Sequence, residues 1–158
     1  MTDLYVDIDA HRVLPQALRA AERYSLELYV VTRDYLYADA NVHLILAQED
    51  QASPGHWIAE NIRPGDICVT ADSGLATGCT LRGAQALSPA GRLWDDGSVR
   101  SATLNSAPNP RAFAQRLEAA IIVGRAANRL ALASWRGLPG TRLGPAAPET
   151  ALRLASLG

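Results

Sequence analysis

The stretch LYVDIDAHRV, residues 4–13, places two aspartates inside an otherwise apolar segment. Its first half predicts a β-strand over residues 3–8. Because side chains alternate along a strand, Asp7 and Asp9 are expected on one face, about 7 Å apart. Two unpaired carboxylates repel each other and are costly to bury. The stretch therefore predicts a strand that ends in an acidic site.

Outward from this stretch, apolar segments alternate with amphipathic ones. Strands are expected at 3–8, 26–32, 42–47, 67–71 and 84–87. Helices are expected at 14–24, 53–62, 72–83, 95–105, from 110 onward with Gly124 as a point of bending or division, and at the C-terminal end. This alternation predicts a three-layer α/β/α fold with a mainly parallel sheet of four or five strands. We expect one domain, with a core at 3–94 and a helical C-terminal region at 95–158.

Composition narrows the functional classes. The chain has 158 residues, 48% of them hydrophobic, and a net charge of −1, which gives no overall basic field for nucleic acid. All 15 basic residues are arginine, so a lysine Schiff base and a lysine phosphate clamp are excluded. Cys68 and Cys79 lack the spacing of a metal site. With neither a signal peptide nor an apolar run of membrane-spanning length, we expect a cytoplasmic protein without membrane contact.

A third acid occupies a place equivalent to the first two. In ICVTADSG, residues 67–74, Asp72 follows the fourth strand and opens a helix. If strands one and four are neighbours, Asp7, Asp9 and Asp72 converge at the carboxyl edge, where such sheets bind ligands. Three carboxylates there suit Mg²⁺ or Mn²⁺. Alternatively, Asp72 and Asp9 are plain helix caps, whereas Asp7, inside an apolar strand, is expected to have no capping role.

Several segments, in order, resemble the YaiI/YqxD family of small bacterial proteins. They are VDIDA and LRAAER (6–10 and 18–23), RPGDICVTADSGLA (63–76) and RGAQALSPAGRLW (82–94). The resemblance covers residues 4 to about 94. It implies a PIN-like domain, a fold often found in metal-dependent nucleases with an acidic cluster at the sheet edge. The activity of the family itself is not established.

By position, the resemblance implies Asp7, Asp9 and Asp72 as catalytic residues and metal ligands. The chain departs from the family pattern at ASPGHWI, residues 52–58, which lacks the acid usual there. Asp50 is then the candidate for a further metal ligand. A second departure replaces the usual Cys-Pro pair after VDIDA by His-Arg.

Three functions follow from these residues. The first is a Mg²⁺- or Mn²⁺-dependent nuclease or phosphodiesterase acting on single-stranded RNA or DNA. Its candidate substrate-binding residues are His11, Arg12, Arg33 and Ser73. The second is a phosphatase of the haloacid dehalogenase type, with Asp7 as nucleophile and Asp9 as acid, against which the absence of lysine counts. The third is a non-catalytic binding or regulatory domain with a degenerate acidic site.

Overall fold

A computed structural model provides the structure of the protein. It describes residues 2–33, 40–47, 55–94 and 107–137, the last seven of these by backbone alone. The helices expected at 95–105 and at the C-terminal end, and the loop that carries Asp50, lie outside the described residues.

The strands and helices of the described residues follow one another in the order that the sequence predicts. The strands are β1 (Leu4–Val6), β2 (Leu28–Thr32), β3 (Val42–Leu46), β4 (Ile67–Val69) and β5 (Gln85–Leu87). The helices are a 3-10 helix (Ile8–Val13), α1 (Leu14–Tyr24), α2 (Gly55–Asn61), α3 (Ser73–Leu81) and α4 (Pro110–Gly137). Pro15 lies in the first turn of α1, where its missing N–H is tolerated.

The five strands form one parallel sheet in the order β3-β2-β1-β4-β5. From the central β1 the chain adds β2 and β3 on one side and then returns to add β4 and β5 on the other. Strand order therefore reverses between β1 and β4, and the carboxyl ends of these two strands form the switch point where such sheets bind ligands. We call this place the carboxyl rim.

Helices cover both faces of the sheet. Leu4 and Val6 of β1 share a buried core with residues of α1 and α4. Tyr5, which points to the other face, packs in a second core with Cys68, Cys79 and residues of α2 and α3. The predicted three-layer α/β/α architecture is confirmed, and both cysteines are free and buried.

The expected extent of the first strand is wrong. β1 ends at Val6, and Asp7 is the N-cap of the 3-10 helix that follows. Its Oδ1 accepts a hydrogen bond of 2.8 Å from the Ile8 N–H, which satisfies a donor that the ending strand leaves open. Asp7 and Asp9 are therefore not alternate residues of one strand face, and Asp7 does have a capping role.

The helix α4 runs without a break through Gly124. A Cβ atom on Gly124 would lie 2.7 Å from the Gly65 carbonyl oxygen and 3.0 Å from Thr2 Oγ1. The glycine thus permits close packing of α4 against the amino end of the sheet, where Gly65 precedes β4. In the part of the chain that the structure describes, no helix is long and apolar enough to cross a membrane.

We expect Gly124→Ala to lower the free energy of unfolding by about 1–2 kcal/mol, because a clash with backbone outweighs the higher helix propensity of alanine. Gly78→Ala in α3 is the matched control, since a Cβ there meets nothing within 4 Å. It is expected to stabilise by up to about 1 kcal/mol. Urea unfolding of both variants measures the difference, and equal gains at the two positions would contradict the close packing of α4.

Candidate functional site

The carboxyl rim gathers three aspartates around one buried hydroxyl group. Thr70, the residue after β4, is fully buried. Its Oγ1 donates to Asp7 Oδ2 at 2.9 Å and accepts from the Asp72 N–H at 3.0 Å. Asp9 Oδ1 lies 3.5 Å from the same hydroxyl. The structure therefore brings Asp7, Asp9 and Asp72 to one edge of the sheet, because β1 and β4 are neighbours.

Asp7 is the inner member of this group. It is buried, and both of its carboxylate oxygens accept hydrogen bonds, one from the Ile8 N–H and one from the Thr70 hydroxyl. Its own N–H donates to the Val69 carbonyl at 2.9 Å and extends the pairing of β1 with β4. Burial raises the pKa of Asp7, and the charge of Asp9 adds to the rise, while the two hydrogen bonds oppose it.

Asp9 and Asp72 are exposed on the outer side. Asp9 Oδ1 accepts from the Ala71 N–H at 3.1 Å. Asp72 caps α3, with Oδ1 accepting from the N–H groups of Gly74 at 2.8 Å and Leu75 at 3.4 Å. Loss of hydration raises the pKa of Asp9, the hydrogen bond from Ala71 opposes this, and the charge of Asp72 reinforces it. The hydrogen bonds from Ala71, Gly74 and Leu75 all reach the Oδ1 atoms of these two acids.

The fit of this group to a divalent cation is partial. Carboxylate oxygens are the ligands that Mg²⁺ and Mn²⁺ prefer, and the mutual repulsion of the three acids favours a cation between them. Yet within the described ranges no three His, Cys, Asp or Glu side chains are arranged to hold a metal ion. The carboxyl rim thus offers suitable charge and donor type, with water needed to complete any coordination shell.

The remaining sequence-predicted residues surround the carboxyl rim with different roles. His11 is partly buried, and its Nε2 lies 2.8 Å from the Val31 carbonyl oxygen, so this nitrogen donates and ties the 3-10 helix to β2. Arg12 and Arg33 are exposed, the latter directly after β2. Ser73 is half-buried at the first position of α3. Asp50 belongs to the residues that the structure does not describe.

Sequence reasoning missed the two residues that organise the carboxyl rim. Thr70 joins Asp7 to Asp72, and the buried Trp94 donates its Nε1–H to the Thr70 carbonyl at 2.9 Å. A threonine two positions before a helix-capping aspartate is a usable sequence signal for the first. No local pattern indicates the second, because Trp94 lies 24 positions away along the chain.

A second acidic pair occupies the opposite end of the same two strands. The Asp3 N–H donates to Asp66 Oδ1 at 3.0 Å, and the Arg63 N–H donates to Asp66 Oδ2 at 2.9 Å. Burial, and then the charge of Asp66, raises the pKa of Asp3 to about 8. Burial raises the pKa of Asp66 to about 6, against the two hydrogen bonds that it accepts. Asp3 Oδ1 is buried without a hydrogen-bond partner in the described structure.

Fold and site together define an α/β domain with an acidic cluster at the switch point of a parallel sheet. The chain belongs to the YaiI/YqxD family, described as uncharacterized, whose sequence profile matches residues 5–127. The resemblance noted in the sequence is thereby confirmed.

Relatives in the family are bacterial proteins named UPF0178 protein. Those of Rhodopseudomonas palustris strain BisB5 and Rhizobium meliloti strain 1021 are each 37% identical to this chain, over 100 and 102 residues. The matches cover 62% and 63% of this chain and 61% and 70% of the relatives. The chain therefore spans about three fifths of the length of the Rhodopseudomonas relative. No solved structure matches the chain.

Proposed function

We propose that the protein is a metal-dependent phosphodiesterase of the PIN-like type that acts on single-stranded RNA or DNA at the carboxyl rim. One observation carries the proposal: at the switch point of the sheet the carboxylates of Asp7 and Asp9 contact the Thr70 hydroxyl, and the backbone N–H of Asp72 binds the same hydroxyl, so that three acids share one edge. Burial raises the pKa values of Asp7 and Asp9, and the negative charge of a neighbouring aspartate adds to the rise in each case. A divalent cation would offset this charge.

The three aspartates of the carboxyl rim differ in exposure and therefore in proposed role. Asp9 and Asp72, each with an oxygen open to solvent, would hold Mg²⁺ or Mn²⁺ together with water, and the buried Asp7 would add negative charge from behind. A cation there lowers the pKa of bound water and stabilises charge on phosphate oxygens. The exposed Arg12 and Arg33 would orient the phosphate by charge-assisted hydrogen bonds.

Two further residues complete the substrate side of the proposal. Ser73, at the start of α3, presents a hydroxyl beside Asp72 for a sugar or phosphate oxygen. His11 keeps Nδ1 for the substrate, because its Nε2 is engaged with Val31. Asp50, which follows β3 in the sequence and lies outside the described residues, is the proposed additional metal ligand.

One observation favours a second candidate, a non-catalytic domain with a degenerate site. Both oxygens of Asp7 are already occupied by protein donors, which leaves two outer carboxylates for a cation. The same geometry disfavours a phosphatase of the haloacid dehalogenase type. Its nucleophile would be Asp7, whose residue is 4% exposed and whose carboxylate oxygens both serve as hydrogen-bond acceptors.

Calorimetry and a cleavage assay test the proposal together. We expect Mn²⁺ to bind the wild-type protein and Asp9→Asn or Asp72→Asn to weaken binding by about tenfold or more. Glu60→Gln, at an exposed acid on α2, is the matched control and is expected to bind normally. Labelled single-stranded RNA or DNA should be cut in Mn²⁺ and left intact in EDTA, with p-nitrophenyl phosphate as the comparison substrate. Cation binding without cleavage of any substrate at low salt would establish the degenerate site instead.

A further inference from the structure

We propose that the groove between α1 and α4 binds the phosphate backbone of a single-stranded nucleic acid and leads it to the carboxyl rim. The groove is lined or flanked by five arginines, and we call it the basic groove: Arg19, Arg23, Arg111, Arg125 and Arg129. That the nucleic acid runs toward the carboxyl rim rests on the proposed function. That the basic groove binds it rests on charge and geometry.

Both helices that form the basic groove begin on the carboxyl side of the sheet. α1 follows the 3-10 helix that contains Asp9. α4 begins where the Asn109 N–H donates to the Pro89 carbonyl at 3.1 Å, just beyond β5. Further along, Gly124 of α4 packs against Gly65, at the amino end of β4. The basic groove therefore runs from the acidic site across the whole depth of the domain.

Contacts between the helices place these arginines along one groove. A cavity of about 140 Å³ between α1 and α4 is lined by Arg19 and Arg23 from one helix and by Glu118 from the other. Arg125 donates to the Tyr24 carbonyl and lies over the Tyr24 ring, 5.4 Å from its centroid.

The helical repeat brings the other two arginines to the same flank of α4. Arg111, Glu118 and Arg125 are spaced by seven residues, which is close to two helical turns, and Arg129 is one turn beyond Arg125. They therefore share the flank that faces α1.

The charge of the basic groove is largely uncompensated. Glu118 pairs with Arg23 at 3.2 Å. Arg19, Arg111 and Arg129 are exposed and form no ion pair with a described residue. In a chain of net charge −1, this concentration of arginine creates a local positive field that the overall composition hides. Guanidinium groups pair with phosphate oxygens in bidentate fashion and also stack on bases.

Two of the exposed apolar residues of α4 lie away from the basic groove, which favours a nucleic acid over a lipid surface. Val123 and Leu130 are 57% and 68% exposed, and they share the opposite flank of α4 with Arg116 at seven-residue spacing. A helix that lies on a membrane sets apolar and basic side chains together for insertion. Here Val123 and Leu130 lie outside the concave groove. Ile122, by contrast, is 56% exposed, lies seven residues before Arg129 and shares the arginine flank. The excess of arginine over apolar residues on that flank suits a flexible polyanion.

Fluorescence anisotropy of a labelled single-stranded RNA of about 16 nucleotides, in EDTA at low salt, tests the inference. We expect the double variant Arg19→Gln/Arg129→Gln to weaken binding by about tenfold. The slope of log affinity against log salt should fall by about 0.7 for each phosphate that the variant no longer neutralises. Arg116→Gln is the matched control for the Arg129→Gln half of the double variant, because it removes one positive charge from the opposite flank of the same helix. It is expected to change affinity by less than about twofold.

Further variants and a lipid probe in the same experiment distinguish this inference from the proposed function. Asp9→Asn should keep RNA binding in EDTA, because the basic groove needs no cation at the carboxyl rim. Binding that depends on Arg19 and Arg129 without any cleavage supports the groove and rejects the nuclease. Unchanged binding in the double variant overturns the groove, even if cleavage persists. Stronger binding to phosphatidylserine vesicles than to RNA would overturn it in favour of a lipid surface.

Discussion

Asp3→Asn is expected to stabilise the protein by several kcal/mol at about pH 8 and to change stability little at about pH 4. The Asp3 residue is 2% exposed, as is Asp66, its acidic neighbour. One carboxyl oxygen of Asp3 has no hydrogen-bond partner in the described structure. The folded protein is more stable while this group remains protonated, and asparagine has the same shape without the charge.

The direction in which stability changes with pH follows from the pKa values. An aspartate in the unfolded chain loses its proton at about pH 4, whereas folded Asp3 keeps it to about pH 8. Between these values the folded state holds the extra proton, so stability falls as the pH rises and the loss is complete above about pH 8. At about 1.4 kcal/mol per pKa unit, Asp3 alone sets an upper bound of about 5–6 kcal/mol. Asp66, raised to about 6, acts in the same direction over a narrower range.

Urea unfolding at about pH 5 and about pH 8 measures this effect. The wild-type protein should lose at least about 2 kcal/mol between the two conditions, and Asp3→Asn should remove most of that loss. Glu22→Gln, at an exposed acid of α1, is the control and should leave the pH dependence unchanged. Equal stability of the wild-type protein at both pH values would show that Asp3 is not held protonated.

The order of strands and helices could be predicted because strands of a parallel sheet, buried on both faces, give short apolar runs between amphipathic segments. The residue at which β1 ends could not be predicted in this way. Ile8 continues the apolar run, yet the chain turns at Asp7. That turn is stabilised by the bond from the Thr70 hydroxyl to Asp7, which joins residues 63 positions apart. Local periodicity contains no information about a contact of this range.

The acidic residues of the candidate site could be predicted, whereas the residues that hold them in place could not. Aspartates at strand ends stand out in a sequence, whereas Thr70 and Trp94 gain their roles only when β4 pairs with its neighbours. The Asp3–Asp66 pair was missed for a related reason. Asp66 occupies a Pro-Gly-Asp turn that is usually exposed, and here α4 packs closely against that turn through Gly124.

The basic groove also escaped prediction, because its arginines are spread over more than one hundred positions of the sequence. Arg19 and Arg23 belong to α1, and the other members belong to α4, which follows the last strand. Only the packing of these two helices on one face of the sheet makes them neighbours. The net charge of the chain did not indicate this groove, since its 16 acidic residues balance its 15 arginines.

Thr70→Val is expected to lower the free energy of unfolding by about 3 kcal/mol, since it removes a hydrogen bond to a carboxylate and leaves buried polar groups unsatisfied. The hydroxyl both donates to Asp7 and accepts from the Asp72 N–H. Valine keeps the branched shape, so the change isolates the hydroxyl. The backbone of residue 70 keeps its bonds to Leu87 and Trp94.

Two controls show whether the hydroxyl is the cause. Thr70→Ser keeps the hydroxyl and loses a methyl group, so it should cost about 1 kcal/mol. Thr77→Val, on the exposed surface of α3, removes a hydroxyl that bonds only within its own helix and should cost less than about 0.5 kcal/mol. Without the hydroxyl, the pKa of Asp7 rises further, so the loss in Thr70→Val should be larger at about pH 8 than at about pH 5. A loss in Thr70→Ser that is larger than the loss in Thr70→Val would mean that the methyl group, and not the bond to Asp7, holds the carboxyl rim together.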